Sequence, residues 1–252
     1  MAAVQAISFD LWDTVFVDDS DEPKRKAAGL PSKKVARRNL VQQFVEESGS
    51  IDRALVDCAY DAADAAFRTV WHDQFFTWTV TQRLQIVLAG LHRELSADRF
   101  AELVRCHEDM ELEVQPDLAT GIAEAMAELA SRYTLVVISD AIFSPGRALR
   151  QLLEHYQLLQ HFKGFVFSDE LGCSKPEPRV FHEAAKLAGC SLDALVHLGD
   201  REHNDIDGAH RVGARAVLVT YAIDRGSDGS QADAICGDAR ELPATIARLD
   251  KR

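Results

Sequence analysis

A chain of 252 residues, 47% of them hydrophobic and 27% charged, is long enough to bury a sizeable core and reads as an ordinary soluble globular protein. Its 28 basic against 40 acidic residues leave a net charge of −12, which disfavours nucleic acid and anionic membrane as general partners while permitting a locally positive pocket. Five cysteines (Cys58, Cys106, Cys173, Cys190, Cys236) are odd in number, widely spaced and without a C-x-x-C pair, so neither a disulfide framework nor a zinc site is expected and a reducing cytoplasm is the natural compartment.

The N-terminus lacks the basic region, long apolar stretch and cleavage site of a signal peptide, and no apolar run approaches the ~18 residues of a membrane span. Residues 3–9 predict a first strand, and polar residues begin where it ends: Asp10, then Asp13 and Thr14. The run Asp18-Asp19-Ser20-Asp21-Glu22-Pro23-Lys24-Arg25-Lys26, closed by Gly29 and Pro31, predicts a solvated loop, with a mobile flap that screens substrates as the functional alternative.

From Ser32 to about Val114 the periodicity turns helical. Leu40, Val41, Phe44 and Val45 share a face, as do Leu84, Val87, Leu88 and Leu91, and then Phe100, Leu103 and Val104; residues 52–76 form a longer helix rich in Ala and Asp. Four helices between two strands exceed an ordinary crossover, so residues 16–115 are expected to be an inserted helical domain. At Pro116 the α/β alternation resumes. A helix over 122–133 precedes the strand 134–139; Ser144-Pro145 predicts an N-cap and first-turn proline for a helix carrying Leu149, Leu152, Leu153 and Tyr156. Strands at 164–167, 195–198 and 214–220 alternate with helices at 178–187 and 205–212, and the tail from Gln231 ends in a short helix. The expected fold is α/β, a parallel sheet covered on both faces, built from residues 1–15 and 116–252.

Polar groups follow four of these strands. Asp10 ends the first, Ser139-Asp140 the second, Lys175 lies in Ser174-Lys175-Pro176-Glu177-Pro178 after the third, and Gly199-Asp200 closes the fourth with Asp205 five residues on. In a parallel sheet such ends share one edge, where ligands of open α/β sheets bind. Clustered Asp10, Asp200 and Asp205 would repel one another without a cation, so the carboxylates themselves argue for a hard metal ion.

These four motifs in order resemble the haloacid dehalogenase superfamily over residues 1–15 and roughly 116–225, with the helical insert placed like the C1 cap of that superfamily. The resemblance implies a Rossmann-like core and a Mg²⁺-dependent phosphatase-type hydrolase acting on a small phosphorylated substrate. It implies Asp10 as the nucleophile that forms an aspartyl intermediate, Ser139 as the hydroxyl bonding a phosphoryl oxygen and Lys175 as the cation between them. Asp10, Asp200 and Asp205, with the carbonyl of Trp12, are the implied metal ligands, and Trp12, Asp140 and Ala141 the candidate substrate contacts. A monomer or homodimer is expected.

One position departs from the family pattern. Where its phosphatases carry a second aspartate as general acid, this chain has Trp12; Asp13, one place further, reads as a turn residue. Tryptophan cannot supply the ~10²–10⁴ in rate that general acid–base help is worth. The expected substrate therefore has a leaving group that needs little protonation, or draws on an acid or water from the cap. A haloacid dehalogenase, which also carries an aromatic residue here but lacks the G-D pair, is one alternative. A phosphonate-cleaving hydrolase with Lys33 or Lys34 as the cap lysine is another, and a catalytically silent binding protein a third. His197 and His203 read as structural, and Asp205 as either a metal ligand or the N-cap of the next helix.

Overall fold

The computed structural model describes residues 2–251. At its centre is an all-parallel sheet of six strands in the order β3-β2-β1-β4-β5-β6. The strands are β1 (Ala6–Phe9), β2 (Thr134–Ser139), β3 (Phe162–Phe167), β4 (Leu195–Gly199), β5 (Arg215–Val219) and β6 (Ala234–Cys236). Every residue of β1 is buried, as a central strand flanked on both faces must be. Its alternation divides the core: Ile7 and Phe9 join the apolar layer on one face, Ala6 the layer on the other. From β1 the chain builds outward to β2 and β3, then returns to the other side for β4, β5 and β6. The order therefore reverses between β1 and β4, and a crevice opens at their carboxyl ends.

Between β1 and β2 lie α1 (Asp21–Ala27), α2 (Lys33–Glu46), α3 (Arg53–Gln74), α4 (Val80–Gly90), α5 (Ala97–Glu108), the single turn α6 (Met110–Glu113) and α7 (Ile122–Ala130). Ser32, Asp52, Thr79 and Ser96 cap the starts of α2 to α5, each accepting a first-turn N–H, and Thr79 with Gln82 forms a capping box. Helices α2 to α5 bury an apolar cluster of their own around Phe44, Val56, Leu84 and Leu103. Among the described residues no helix is long and apolar enough to cross a membrane. After β2 come α8 (Gly146–His155), α9 (Ser168–Leu171), α10 (Pro178–Ala188), α11 (Asp207–Arg211, preceded by a π-helical turn from Glu202 to Ile206) and α12 (Leu242–Leu249).

Two expectations are corrected, and one strand is added. Residues 21–27 are helical, because the acidic run sits on the first turn and Lys24, Arg25 and Lys26 on the last, which complements the helix dipole; Asp21 and Arg25 are buried. Ser144 does not cap α8: its hydroxyl donates to Glu111 Oε2 at 2.7 Å, and the helix instead receives Asp169, which accepts from Gly146 N at 3.2 Å. The sixth strand was not foreseen; only three residues long, it pairs with β5 through backbone alone and has no alternation to read.

The helical cluster contains a buried titratable group with a consequence for stability. His107 of α5 is fully buried, its Nδ1 set 2.8 Å from Leu103 O and its ring stacked near Tyr60, and burial pushes its pKa down to about 4. The unfolded chain takes up this proton first as pH falls, so the contribution is whole above about 6.5 and lost toward pH 4. Urea melts at pH 7 and 4.5 should show His107→Gln losing about 2–3 kcal/mol less than the wild type over that interval. Equal losses would show that His107 takes no part in the acid response.

Candidate active site

Asp10 leaves β1 with its backbone still on the sheet, its N–H donating to Leu198 O at 2.8 Å, so its carboxylate is delivered to the crevice by the strand itself. Across the switch, Gly199 and Asp200 end β4. A Cβ on Gly199 would lie 2.2 Å from Asp205 Cγ, which explains the glycine: only a bare Cα lets Asp205 fold back beneath the site. Asp205 is fully buried in the π-helical turn. It is no N-cap: Oδ1 accepts from Lys175 Nζ at 2.7 Å and from His197 Nε2 at 3.1 Å, and Oδ2 from Arg201 N at 2.9 Å. His197 in turn bonds Ser8 Oγ at 2.9 Å, and burial holds the imidazole below its ordinary pKa, hence neutral with Nε2–H toward Asp205. This buried line from Ser8 through His197 to Asp205 fixes the carboxylate that holds Lys175.

Lys175 is 4% exposed, with Nζ 2.7 Å from Asp10 Oδ1 and 2.7 Å from Asp205 Oδ1. Burial alone would lower its pKa, but Asp10, Asp205 and Asp140 outweigh it and hold the ammonium well above the ordinary lysine range. One lysine does not satisfy the surrounding acids. Burial pushes Asp10 up; Lys175 opposes this, Asp205 and Asp200 reinforce it, and the carboxyl reaches about 8. Asp205 is the acid that keeps its charge, since Lys175 and His197 pull it down against burial.

Asp10, Asp200 and Asp205 each offer a carboxylate oxygen, all within 4.8 Å of one another. Asp200 Oδ1 is buried with no hydrogen-bond partner among the described residues, while Oδ2 is held by Arg225 Nε. An orphaned carboxylate oxygen beside two other acids is a donor set that fits a hard divalent cation. Arg225 also donates from Nη2 to Asp13 Oδ2 at 2.6 Å, and Asp13, at φ 54°, is a turn residue whose other oxygen accepts Asp18 N. Asp13 does not line the cavity.

Over these groups lies a cavity of about 150 Å³. Asp10, Asp140, Lys175, Arg201 and Asn204 supply polar lining, and Trp12, Trp71, Ile142 and Phe143 apolar lining. Asp18, Glu111 and Ser144 complete its lining. Of the expected substrate contacts, Trp12 and Asp140 line the cavity; Asp140 accepts Lys175 N at 3.1 Å and Asn204 Nδ2 at 3.4 Å. Ala141 does not: it is buried, and its N–H donates to Ser168 Oγ at 2.9 Å. Ser139 lies buried at the end of β2 with Oγ unpartnered among the described residues.

Neither lysine put forward as the cap lysine of a phosphonate-cleaving enzyme lines the cavity. Lys33 Nζ is engaged by Asp21 at 2.7 Å, Asp19 at 3.2 Å and Glu111 at 3.4 Å, and Lys34 is exposed. His203 is exposed and lies beside Phe75. The residues not foreseen are Ser8, Trp71, Glu111, Phe143, Arg201, Asn204 and Arg225. The helices of residues 53–113 are joined to the loops and helix that follow β2 and β3 by bonds that include Arg83 Nη1 to Ile142 O at 3.0 Å, Ser144 to Glu111, Ser174 N to Phe75 O at 2.8 Å and Arg147 Nη2 to Asp109 at 2.6 Å.

The family model described as haloacid dehalogenase-like hydrolase matches residues 4–213. Glyceraldehyde 3-phosphate phosphatase of Methanopyrus kandleri is 24% identical over 226 residues, covering 88% of this chain and 85% of the relative. Among solved structures, a 2-haloacid dehalogenase from Pseudomonas syringae superposes with a TM-score of 0.70 at 21% identity, covering 98% of this chain and 99% of that one. A HAD phosphatase from Thermococcus onnurineus gives a TM-score of 0.65 at 20% identity over 96% and 98%. At these identities the two structures speak for the fold alone.

Proposed function

Since the chain belongs to the haloacid dehalogenase-like hydrolases, we propose that it is a magnesium-dependent phosphohydrolase that acts on a small phosphorylated metabolite through an aspartyl-phosphate on Asp10, without a second aspartate as acid. In this reading residues 1–15 and 116–252 are the catalytic core and 16–115 a cap that closes over it. The observation that carries the proposal is the sharing of Lys175 between Asp10 and Asp205 beside the orphaned oxygen of Asp200. That grouping presents a nucleophile and a cation beside a set of carboxylate oxygens suited to a divalent ion.

The chemistry divides among the residues accordingly. Asp10 attacks phosphorus, Lys175 offsets the negative charge that nucleophile and phosphoryl group bring together, and Ser139 donates its free hydroxyl to a phosphoryl oxygen. Asp205 acts through Lys175, fixing the ammonium in place. Asp10 and Asp200, with the carbonyl of Trp12 and with Asp205 behind, would hold magnesium, which supplies further charge neutralisation for the phosphoryl group. Trp12 leaves the leaving oxygen without a protein acid at that position. The name of the M. kandleri relative supports phosphate-ester chemistry.

One observation favours a second reading. Trp12 lines the cavity and halide departs without a proton, so displacement of halide by Asp10 is the competing reaction. Acetyl phosphate and 2-chloropropionate, each assayed with magnesium and with chelator, separate the two. Phosphate release that falls about 100-fold or more on chelation, and likewise in Asp200→Asn, is expected. Halide release that survives chelation would replace the proposal with dehalogenation.

A further inference from the structure

The apolar walls of the cavity and the missing acid at position 12 constrain the same part of the substrate, the leaving group. Trp12 follows β1 and Trp71 ends the buried stripe of α3; both line the cavity, with Ile142 and Phe143 beside them. Phe143 is held in place: the guanidinium carbons of Arg37 and Arg83 lie 3.7 and 4.1 Å from its ring centre. The indole Nε1 of Trp71 is buried with no hydrogen-bond partner among the described residues. Asp18 and Glu111 also line the cavity, Glu111 with its charge offset by Arg37 Nη2 at 3.2 Å and Lys33 Nζ at 3.4 Å.

We propose that this cavity selects aryl phosphates, whose flat aromatic leaving group lies between Trp12 and Trp71, and that Trp71 and Phe143 are specificity-determining residues. The proposal rests on the phosphohydrolase reading above and narrows it. A ring hydroxyl has a pKa near that of tyrosine, about 10, against ~15.7 for water, so an aryloxide leaves without the protonation that an alkoxide requires. In the first step an Asp10 carboxylate oxygen bonds to phosphorus as the ester P–O bond breaks; the electron pair leaves on the aryloxide, which takes a proton from solvent water. A second water then attacks phosphorus, the aspartyl P–O bond breaks, the carboxylate is restored and the surplus proton passes to solvent.

Binding tests the subsite apart from chemistry, because phenyl esters are intrinsically the better substrates. Phenylphosphonate and n-propylphosphonate, neither of which can be hydrolysed, are titrated calorimetrically into the magnesium-loaded protein. Phenylphosphonate is expected to bind about tenfold tighter, ~1.4 kcal/mol, within the range ring–ring contacts supply. Trp71→Ala and Phe143→Ala should each lose most of that preference, whereas Trp71→Phe, which keeps a ring on α3, should retain most of it. Equal affinities in the wild type, or a preference that survives both alanine variants, would overturn the subsite. Turnover of phenyl and propyl phosphates decides the parent reading separately: aryl-selective binding with no ester turned over would discard the phosphohydrolase and keep the subsite, and turnover without selective binding would do the reverse.

Discussion

Asp10→Asn is expected to lower phosphate release from acetyl phosphate by about 10⁴- to 10⁶-fold, the scale of loss when a covalent nucleophile is removed. The substitution is nearly isosteric, and an asparagine oxygen still accepts from Lys175, so the loss reports chemistry and not collapse of the site. Stability gives an independent readout. Burial and the neighbouring acids hold the Asp10 carboxyl at about 8, well above its usual range, so the folded state keeps a proton that the unfolded chain releases from about pH 4 upward. Stability contributed by Asp10 is therefore whole below about pH 4 and lost as pH rises toward 8. In metal-free protein at pH 7.5, asparagine removes that cost, and Asp10→Asn should melt at or above the wild-type temperature while being inactive, as expected where a site stores electrostatic strain. Activity within tenfold of wild type would place the nucleophile elsewhere. A lower melting temperature would mean that Asp10 is held by favourable contacts, contrary to three buried acids crowding one lysine.

The grouping of Asp10, Lys175, Asp200 and Asp205 was legible because each follows a strand with a clear apolar pattern, and parallel pairing then carries the strand ends to one edge. Their chain separation, up to 195 positions, is removed by the register in which Phe9 pairs with Leu198. Trp71 was not legible for a physical reason. Val56, Tyr60, Ala63 and Phe67 are buried on one face of α3 at spacings of four, three and four, and Trp71 continues that stripe by four more. Its period is that of core packing, and only the end of the helix and the sheet beneath it determine that its ring meets a cavity instead of another side chain. Arg225 is illegible for a different reason: it comes from an irregular segment after β5, where no periodicity locates a side chain, yet it reaches both Asp13 and Asp200. The acidic-to-basic run over 18–26 did carry a structural signal, but a charge order that suits a helix dipole also suits a solvated loop, and burial of Asp21 against Lys33 decides between them.

Trp12→Asp is expected to raise kcat/KM on an alkyl phosphate such as propyl phosphate by about 10²–10⁴-fold, the value of general acid–base help. Position 12 lines the cavity two residues after the nucleophile, so a carboxyl there faces the space the leaving oxygen occupies. The gain should be confined to poor leaving groups. Acetyl phosphate, which departs as a carboxylate, should change little, because protonation does not limit it. The pH profile supplies a readout that a gain in substrate fit alone would not produce: for the alkyl ester the variant's kcat/KM should fall above the pKa of the new acid, while the wild type shows no such limb. Phenylphosphonate affinity should drop in the same variant, since the indole that walls the ring is gone. Acid help and ring binding thus move in opposite directions on one substitution. If propyl phosphate remains as poor a substrate for Trp12→Asp as for the wild type while acetyl phosphate is still turned over, the absent acid is not what limits the reaction, and the barrier to alkyl esters must lie in how the cavity holds them.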